Sequence, residues 1–410
     1  LYQDLGKSDF EAYMTEVGMT ISELNYVGKH LKRWMKEKGV LTPLAQFPAK
    51  SFEVPEPYGT VLIMAPWNYP FMLCIEPLIG AIAAGNCCVV KPSAYAPHTS
   101  AIIKKILSCI FPEEFVAVVE GGREENTALL EQEFDYIFFT GSKNVGKIVL
   151  KKAAENLTPV TLELGGKSPC IVDETADLKL AAKRLVFGKY LNSGQTCVAP
   201  DYLFVQESVK QKFIEYLKYW IDKMFGTEPL KNSDYPRIIN EKHYERLMKL
   251  IEGESIVKGG YGNKERLFIA PTVLDNITEH SPIMQEEIFG PILPVLSYGN
   301  LEEAEAFIKK GEKPLALYLF TGNKKTEQRI LNTISFGGGC INDTIIHLAT
   351  SRMGFGGVGA SGMGSYHGKR SFDTFSHTRS IVKKYQWIDL PIRYQPYTRR
   401  KKKLLHLFLK

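Results

Sequence analysis

Two residues in this 410-residue chain are suited to covalent chemistry: a cysteine in the polar stretch LNSGQTCVAP and a glutamate ending the apolar stretch VTLE. Cys197 lies among Asn, Ser, Gly, Gln and Thr, where a packing cysteine would sit among Val, Leu and Ile. A nucleophilic thiol needs exposure and a stabilised thiolate, because its free pKa of about 8.5 leaves little ionised at neutral pH. A polar turn can supply both. If Cys197 opens a helix, its own amide also points at the oxyanion formed on any carbonyl it attacks. The default reading of an arbitrary cysteine is a small buried filler, and Cys74, Cys87, Cys88, Cys109 and Cys170, in apolar surroundings, keep that reading. Glu163 sits on an otherwise apolar strand, where desolvation raises a carboxyl pKa towards the range useful for activating water. Taken alone, it reads equally as a structural carboxylate bonded to backbone amides. None of the eight histidines neighbours Cys197 in sequence, so Glu163 is the better base.

Polar residues that directly follow apolar strand runs are further candidates, because ligands of open parallel sheets bind beyond the carboxyl ends of the strands. Four runs end this way: TVLIMAPWN at Asn68, NCCVVK at Lys91, FDYIFFTGSKNVG at Gly141 to Gly146, and VTLELGG at Glu163 to Gly166. In TGSKNVGKIVLKKAA a glycine turn feeds a helix whose free amides favour a phosphate. Gly141, Gly146 and Lys147 fit the spacing of a P-loop, but Ile148 follows, and it has no hydroxyl for a magnesium ion. The stretch also lacks a full GxGxxG, so dinucleotide binding and a plain strand-to-helix turn both remain open.

These residues need a scaffold that the pattern along the chain outlines. Apolar residues recur at helical spacing after Ser8, a plausible cap, and end at Gly39. A proline-rich connector follows, and then apolar runs alternate with helical patterns, which implies βαβ units around a buried parallel sheet. After TPVTLELGGKSPCIV a second α/β unit begins, with helical patterns around 179–192 and 208–225 and short strands from LFIAPTVL to SFGGGCIN. With 44% hydrophobic residues the chain can bury a large core in about two or three domains. The net charge of +6 is concentrated in the final RRKKKLLHLFLK, which argues against nucleic acid as a partner. Seven cysteines form no CxxC pair and no metal-spaced cluster, so no metal site is expected and a reducing, cytoplasmic setting fits. No apolar run reaches the roughly 18 residues that span a bilayer.

Taken together, PWNYP, VVKPS, FTGSKNVG, LELGGKSP, NSGQTCVAPD, EEIFGPILPV and FGGVGASGMGSYHGKRSFDTFSH resemble the aldehyde dehydrogenase superfamily, the last stretch its class 3 branch most of all. The resemblance runs from the helix at the start of the sequence to the tail. It implies an α/β fold of the aldehyde dehydrogenase type: a Rossmann-type NAD(P)-binding domain over 1–41 and 60–164, an α/β catalytic domain over 165–384, and a small bridging and oligomerisation element from 42–59 and 385–410. It also implies NAD or NADP as cofactor, an aldehyde as substrate, a carboxylic acid as product and a homodimer. Cys197 would be the nucleophile, Asn68 the side-chain donor to the oxyanion, and Glu163 the base that hydrolyses a thioester. Lys91 would bond the adenosine ribose, Gly141, Ser142 and Gly146 would line the pyrophosphate turn, and Gly165 would let the backbone approach the cofactor. Glu287 would hold the nicotinamide ribose and Phe289 would pack near the ring.

The sequence departs from the family pattern at Ala94, where many members carry a glutamate that discourages a 2′-phosphate. Its absence implies that NADP is accepted as well as NAD. Some class 3 members continue into an apolar membrane anchor, but KKKLLHLFLK has only a short apolar stretch, so a solvated or partner-contacting tail is expected and membrane attachment is not. Tyr69, Tyr190 and Phe355 either line a substrate entrance, which the class 3 resemblance suits to medium- or long-chain aliphatic or aromatic aldehydes, or simply pack. Three rival readings are an acylating enzyme that passes its thioester to coenzyme A, a noncatalytic binding protein, and a P-loop nucleotide hydrolase.

Overall fold

The computed structural model describes the backbone of residues 1–408. The apolar runs form a six-stranded sheet ordered Gly362–Met363, Val160–Glu163, Tyr136–Thr140, Thr60–Met64, Cys87–Lys91 and Val116–Val118. All neighbours are parallel except the short Gly362–Met363 edge. Val61, Leu62 and Ile63 are all fully buried, because helices cover both faces of the sheet, and that double coverage produces near-continuous apolar strands in place of alternation. The chain lays down Thr60–Met64, then two strands on one side of it and two on the other. The strand order therefore reverses between Thr60–Met64 and Tyr136–Thr140, and a crevice opens beyond the carboxyl ends at such a point. Asn68 follows one of these two strands and Gly141 the other.

A second, seven-stranded sheet is ordered Ser255–Lys258, Thr272–Asp275, Ile292–Tyr298, Tyr202–Gln206, Pro169–Val172, Ala316–Phe320 and Gly338–Ile341, parallel apart from the Ser255–Lys258 edge. This is the α/β architecture expected from the alternating pattern. A third, antiparallel sheet joins Lys38–Val40, Ala49–Pro57 and Ser376–Lys384. Strand pairing thus crosses the expected division at three places: Lys38–Val40 and Ser376–Lys384 both join the proline-rich connector, and Gly362–Met363 joins the sheet of the 60–164 segment. The tail beyond Lys384 is mostly exposed and ends in the helix Arg399–Phe408. Among the described residues, no helix is long and apolar enough to cross a membrane.

The N-terminal segment departs from its expected form. Ser8 does cap a helix, its Oγ accepting from Glu11 N at 3.3 Å. The helix Asp9–Ala12 then passes through a π-turn at Tyr13–Val17 into Gly18–Trp34, and it stops there because Lys38–Val40 is a strand. The buried face carries Lys7, Glu11, Glu16, Thr20 and Glu23, while Phe10, Tyr13, Ile21 and Leu24 are exposed. Hydropathy would have turned this helix the other way round.

Asn86, fully buried, fastens the six-stranded sheet to its surroundings. Its Oδ1 accepts from Gly59 N at 3.0 Å, and its Nδ2 donates to Ala81 O at 3.0 Å and to Phe375 O at 2.9 Å. Asn86→Ala leaves Gly59 N and Phe375 O without these partners, while Ala81 O keeps the Asn86 amide, and is expected to cost about 2 kcal/mol, read as a lower urea midpoint with unchanged slope. An unchanged midpoint would show that water satisfies those groups.

Candidate active site

The helix Leu178–Tyr190, capped by Asp177, delivers the chain into Leu191–Gly194 and then into the turn that holds Cys197. Asn192, Ser193 and Gly194 all have positive φ, at 52°, 51° and 72°. Such a run costs roughly 1–2 kcal/mol for each non-glycine residue and persists only where the surroundings impose it. Asn192 N donates to Glu11 Oε1 at 2.8 Å, and Asn192 Nδ2 donates to Asn68 O at 2.8 Å and Gln195 O at 3.1 Å. The Gln195 side chain donates to Arg237 O at 3.0 Å and accepts from Ile239 N at 3.0 Å. A Cβ at Gly194 would lie 2.3 Å from Gly290 O, so only glycine fits there.

Cys197 therefore sits in a turn and does not open a helix. The turn is pinned on its far side by Tyr318, whose hydroxyl donates to Val198 O at 2.6 Å. Cys197 as a residue is half-buried. Burial and the nearby carboxylates of Glu287 and Glu163 push its pKa up to about 12, against the pull of the Cys197 and Val198 amides. The resting group is a thiol. Of the other cysteines, Cys74, Cys88 and Cys170 are buried, but Cys109 is exposed on the helix Pro97–Ile110, against the filler reading. Cys87 is half-buried.

Glu163 ends its strand 3% exposed, and neither carboxyl oxygen has a hydrogen-bond partner. This excludes the reading of a carboxylate bonded to backbone amides. Desolvation alone holds its pKa well above the usual carboxylate range. Asn68 is buried, and its Nδ2 donates to Gln195 O at 3.1 Å, two residues before Cys197, so one Nδ2 hydrogen is left over. Glu287 lies over Gly165, where an added Cβ would come 2.1 Å from its Oε2. Burial pushes Glu287 up to about 8, while the Gly166 amide and Lys167 pull the other way.

The residues expected to cradle a dinucleotide line the reversal point. Ser142 caps the helix Lys143–Glu155, accepting from Val145 N at 3.4 Å. A Cβ at Gly146 would come 2.7 Å from Leu164 Cδ2, and one at Gly141 would come 2.7 Å from the Phe139 ring, so both glycines serve close packing at this helix start. Lys91 Nζ donates to Pro92 O at 2.9 Å and Gly121 O at 2.6 Å. Phe289, at φ 50°, packs edge-on against Trp67 with ring centroids 5.3 Å apart. A glycine-lined turn, a capped helix start and an unpartnered buried Thr140 hydroxyl beside it fit a dinucleotide. Tyr190, by contrast, is core: it is 1% exposed and its hydroxyl bonds Thr272 O at 2.9 Å. Phe355 is likewise buried, packed against Tyr366 and His367. Tyr69 is buried and bonds Thr196 Oγ1 at 2.6 Å.

Several residues that hold the site were not singled out in the sequence. Lys167 reaches Asp201 Oδ2 at 2.5 Å, Ile283 O at 3.0 Å and Glu286 O at 2.8 Å. Asp201 Oδ1 accepts from Ile288 N at 2.9 Å, and Arg246 donates to Ile288 O at 2.6 Å. Together they fix the 286–290 loop that carries Glu287 and Phe289. Lys167 and Asp201 lay inside LELGGKSP and NSGQTCVAPD, where a charged residue beside apolar strand starts was the available signal. Lys7, Glu11 and Glu16 gave none, because on a surface helix they read as solvated charges.

The aldehyde dehydrogenase family matches residues 1–381. A 4,4'-diaponeurosporen-aldehyde dehydrogenase from Staphylococcus aureus is 53% identical over 399 residues, covering 97% of this chain and 87% of that protein. Aldehyde dehydrogenase family 3 member H1 from Arabidopsis thaliana is 46% identical over 410 residues, covering 99% of this chain and 85% of that protein. Among solved structures, the substrate-bound state of Staphylococcus aureus AldH superposes with a TM-score of 0.98 at 52% identity, covering 100% of this chain and 90% of that one.

The carboxylate of Glu287 raises the Cys197 pKa. Glu287→Gln is therefore expected to speed alkylation of Cys197 by iodoacetamide several-fold at pH 9, where Glu287 is ionised, and to have little effect at pH 6.5. Peptide mapping by mass spectrometry separates Cys197 from the exposed Cys109. A slower reaction at pH 9 would contradict the assigned sign.

Proposed function

The chain belongs to the aldehyde dehydrogenase family, oxidoreductases that act on the aldehyde group, and on that premise we propose that it oxidises an aldehyde through a thioester on Cys197 that Glu163 hydrolyses. The observation that carries this reading is the pair itself: a half-buried cysteine in a turn pinned by hydrogen bonds, whose thiol feels the charge of a buried carboxyl group with both oxygens free of partners.

Cys197 gives up its thiol proton as its sulfur bonds the aldehyde carbon, and Glu287 in its ionised form would take it, which leaves Glu163 for the later step. The resulting oxyanion accepts hydrogen bonds from the free Nδ2 hydrogen of Asn68 and from the Cys197 amide. A single such donor is worth roughly 3 kcal/mol to the barrier. A bound NAD or NADP would supply the acceptor for the hydride that leaves the substrate carbon, and Cys197 would be left as a thioester. Glu163 then removes a proton from water as the water oxygen attacks the thioester carbonyl, and the carboxylic acid leaves as the thiol is restored. Lys91, Gly141, Ser142, Gly146, Gly165, Glu287 and Phe289 would hold the dinucleotide at the sheet's reversal point. An acylating enzyme would have no use for Glu163. The bare carboxyl also counts against a binding protein, and Ile148 against a nucleotide hydrolase.

The proposal includes a homodimer in a cytoplasmic setting. The three-stranded sheet supports the dimer, since both outer strands are edges and Val40, Leu41, Leu44, Phe47, Val382 and Trp387 around them are exposed. Seven unpaired cysteines support the compartment. The division into 1–41 with 60–164, 165–384, and 42–59 with 385–410 stands as the domain reading, with the three pairings that cross it. For substrates, medium- and long-chain aliphatic and aromatic aldehydes come first, and the aldehyde named in the Staphylococcus aureus relative belongs in the same panel.

Glu163→Gln is expected to yield one reduced cofactor per active site and then stall, with kcat down at least about 100-fold, read by stopped-flow absorbance. Because burial raises the Glu163 pKa and keeps the base protonated to higher pH than an ordinary carboxylate, wild-type kcat should still rise with pH above the usual carboxylate range. A Glu163→Gln enzyme that turns over steadily would remove the assigned role. Cys197→Ser is expected to abolish the initial burst as well.

Ala94 is exposed two positions past a buried Pro92. The kcat/KM values for NAD and NADP are expected to agree within about tenfold, and Ala94→Glu should disfavour NADP by more than about tenfold, or 1.4 kcal/mol. An NAD preference above about 100-fold in the unaltered protein would sink this.

A further inference from the structure

We propose that the buried Lys7–Glu16 ion pair is a positioning device for the oxyanion site, holding the Asn68 loop against the Cys197 turn. The inference rests on the roles proposed above for Asn68 and Cys197.

Both side chains are fully buried, and Lys7 Nζ lies 2.6 Å from Glu16 Oε1. Lys7 Nζ also donates to Asn68 O at 3.0 Å and lies 3.9 Å from the centre of the Tyr69 ring. The other Glu16 oxygen accepts from Phe71 N at 2.8 Å and Met72 N at 3.2 Å, so one carboxylate ties down the start of the helix that follows the Asn68 loop. The pair thus grips residues 68–72 from both sides. The same N-terminal segment grips the nucleophile turn, because Glu11 Oε1 accepts from Asn192 N. Two links then join the gripped loops directly: Asn192 Nδ2 to Asn68 O, and the Tyr69 hydroxyl to Thr196 Oγ1.

The free Nδ2 hydrogen of Asn68 has a useful direction only if the Asn68 backbone is fixed relative to Cys197. Two donors, Lys7 Nζ and Asn192 Nδ2, converge on the Asn68 carbonyl, so its peptide plane is fixed from both of the segments that matter. Without Lys7 the carbonyl keeps one neutral partner, Glu16 keeps an uncompensated buried charge, and the loop is free to rotate its donor away. Misplacement by about 1 Å is enough to cost a large part of such a contribution. Lys7 and Glu16 touch no reacting atom and act only through Asn68.

The test is a double-mutant cycle with octanal and NAD as probes, in which kcat is expressed per Cys197 thiol titrated by alkylation. Lys7→Met is expected to lower kcat per titrated site at least tenfold with KM for octanal within threefold, and Lys7→Arg to recover part of the loss. Asn68→Ala alone should lower kcat about 100-fold, and the Lys7→Met/Asn68→Ala double variant should be no more than twofold slower than Asn68→Ala. Multiplicative losses in the double variant, or a Lys7→Met enzyme whose kcat per site stays within twofold while its thermal midpoint drops, would overturn the proposal and leave a purely structural ion pair. Undiminished kcat in Asn68→Ala would instead overturn the oxyanion role on which the proposal rests. Glu16→Gln enters the same cycle and decides the question if Lys7→Met does not fold.

Discussion

A buried ion pair stabilises a fold only when its remaining hydrogen-bonding positions are satisfied, since the desolvation of two charges otherwise outweighs their attraction. Lys7 and Glu16 meet that condition. The ammonium has a carboxylate, a carbonyl and an aromatic face, and the carboxylate has the ammonium and two amides. The catalytic loops rely on the same contacts. Asn68, Tyr69 and the start of the helix Met72–Ala83 lie on one side, and the left-handed run Asn192–Gly194 lies on the other, held through Glu11. Burial pushes Glu11 up to about 7, with Lys7 pulling it down, so the cluster needs its single cation.

Desolvation also sets the state of the reacting groups. Cys197, Glu163 and Glu287 are each driven towards their neutral forms by burial. Burial thus weakens the mutual repulsion that three neighbouring anions would suffer. Each group becomes reactive only when its proton has somewhere to go. The chemistry is thereby tied to the order of proton transfers, in which thiol deprotonation comes before deprotonation of water.

The parallel sheets, their strand limits and the residues at their carboxyl ends were legible in the sequence, because burial on both faces leaves uninterrupted runs such as TVLIM and YIFFT that stop at polar residues. Glu163 and Asn68 stood out as polar residues at the ends of apolar runs, and Cys197 as a thiol in polar surroundings. The site's supports were not legible. Lys167, Asp201 and Arg246 act across long sequence separations on backbone atoms of the 286–290 loop, and no local pattern encodes a carbonyl's partner. The inward face of the N-terminal helix was not legible either, because periodicity gives the spacing of a stripe but not whether an aliphatic or a polar stripe is buried. Tyr190 was left open between an entrance and packing, and it packs.

The π-turn at Tyr13–Val17 adds one residue to a turn of the N-terminal helix, so that Glu11 before it, Glu16 within it, and Thr20 and Glu23 after it are all buried towards Lys7 and its surroundings. In an unbroken α-helix the last three would lie about 100° further round. The length of this short segment is therefore a phase setting. Deleting one residue from it could leave helix content, composition and charge nearly intact, yet it would swing Glu16 away from Lys7. Related sequences that tolerate many substitutions here would be expected to tolerate no change in length.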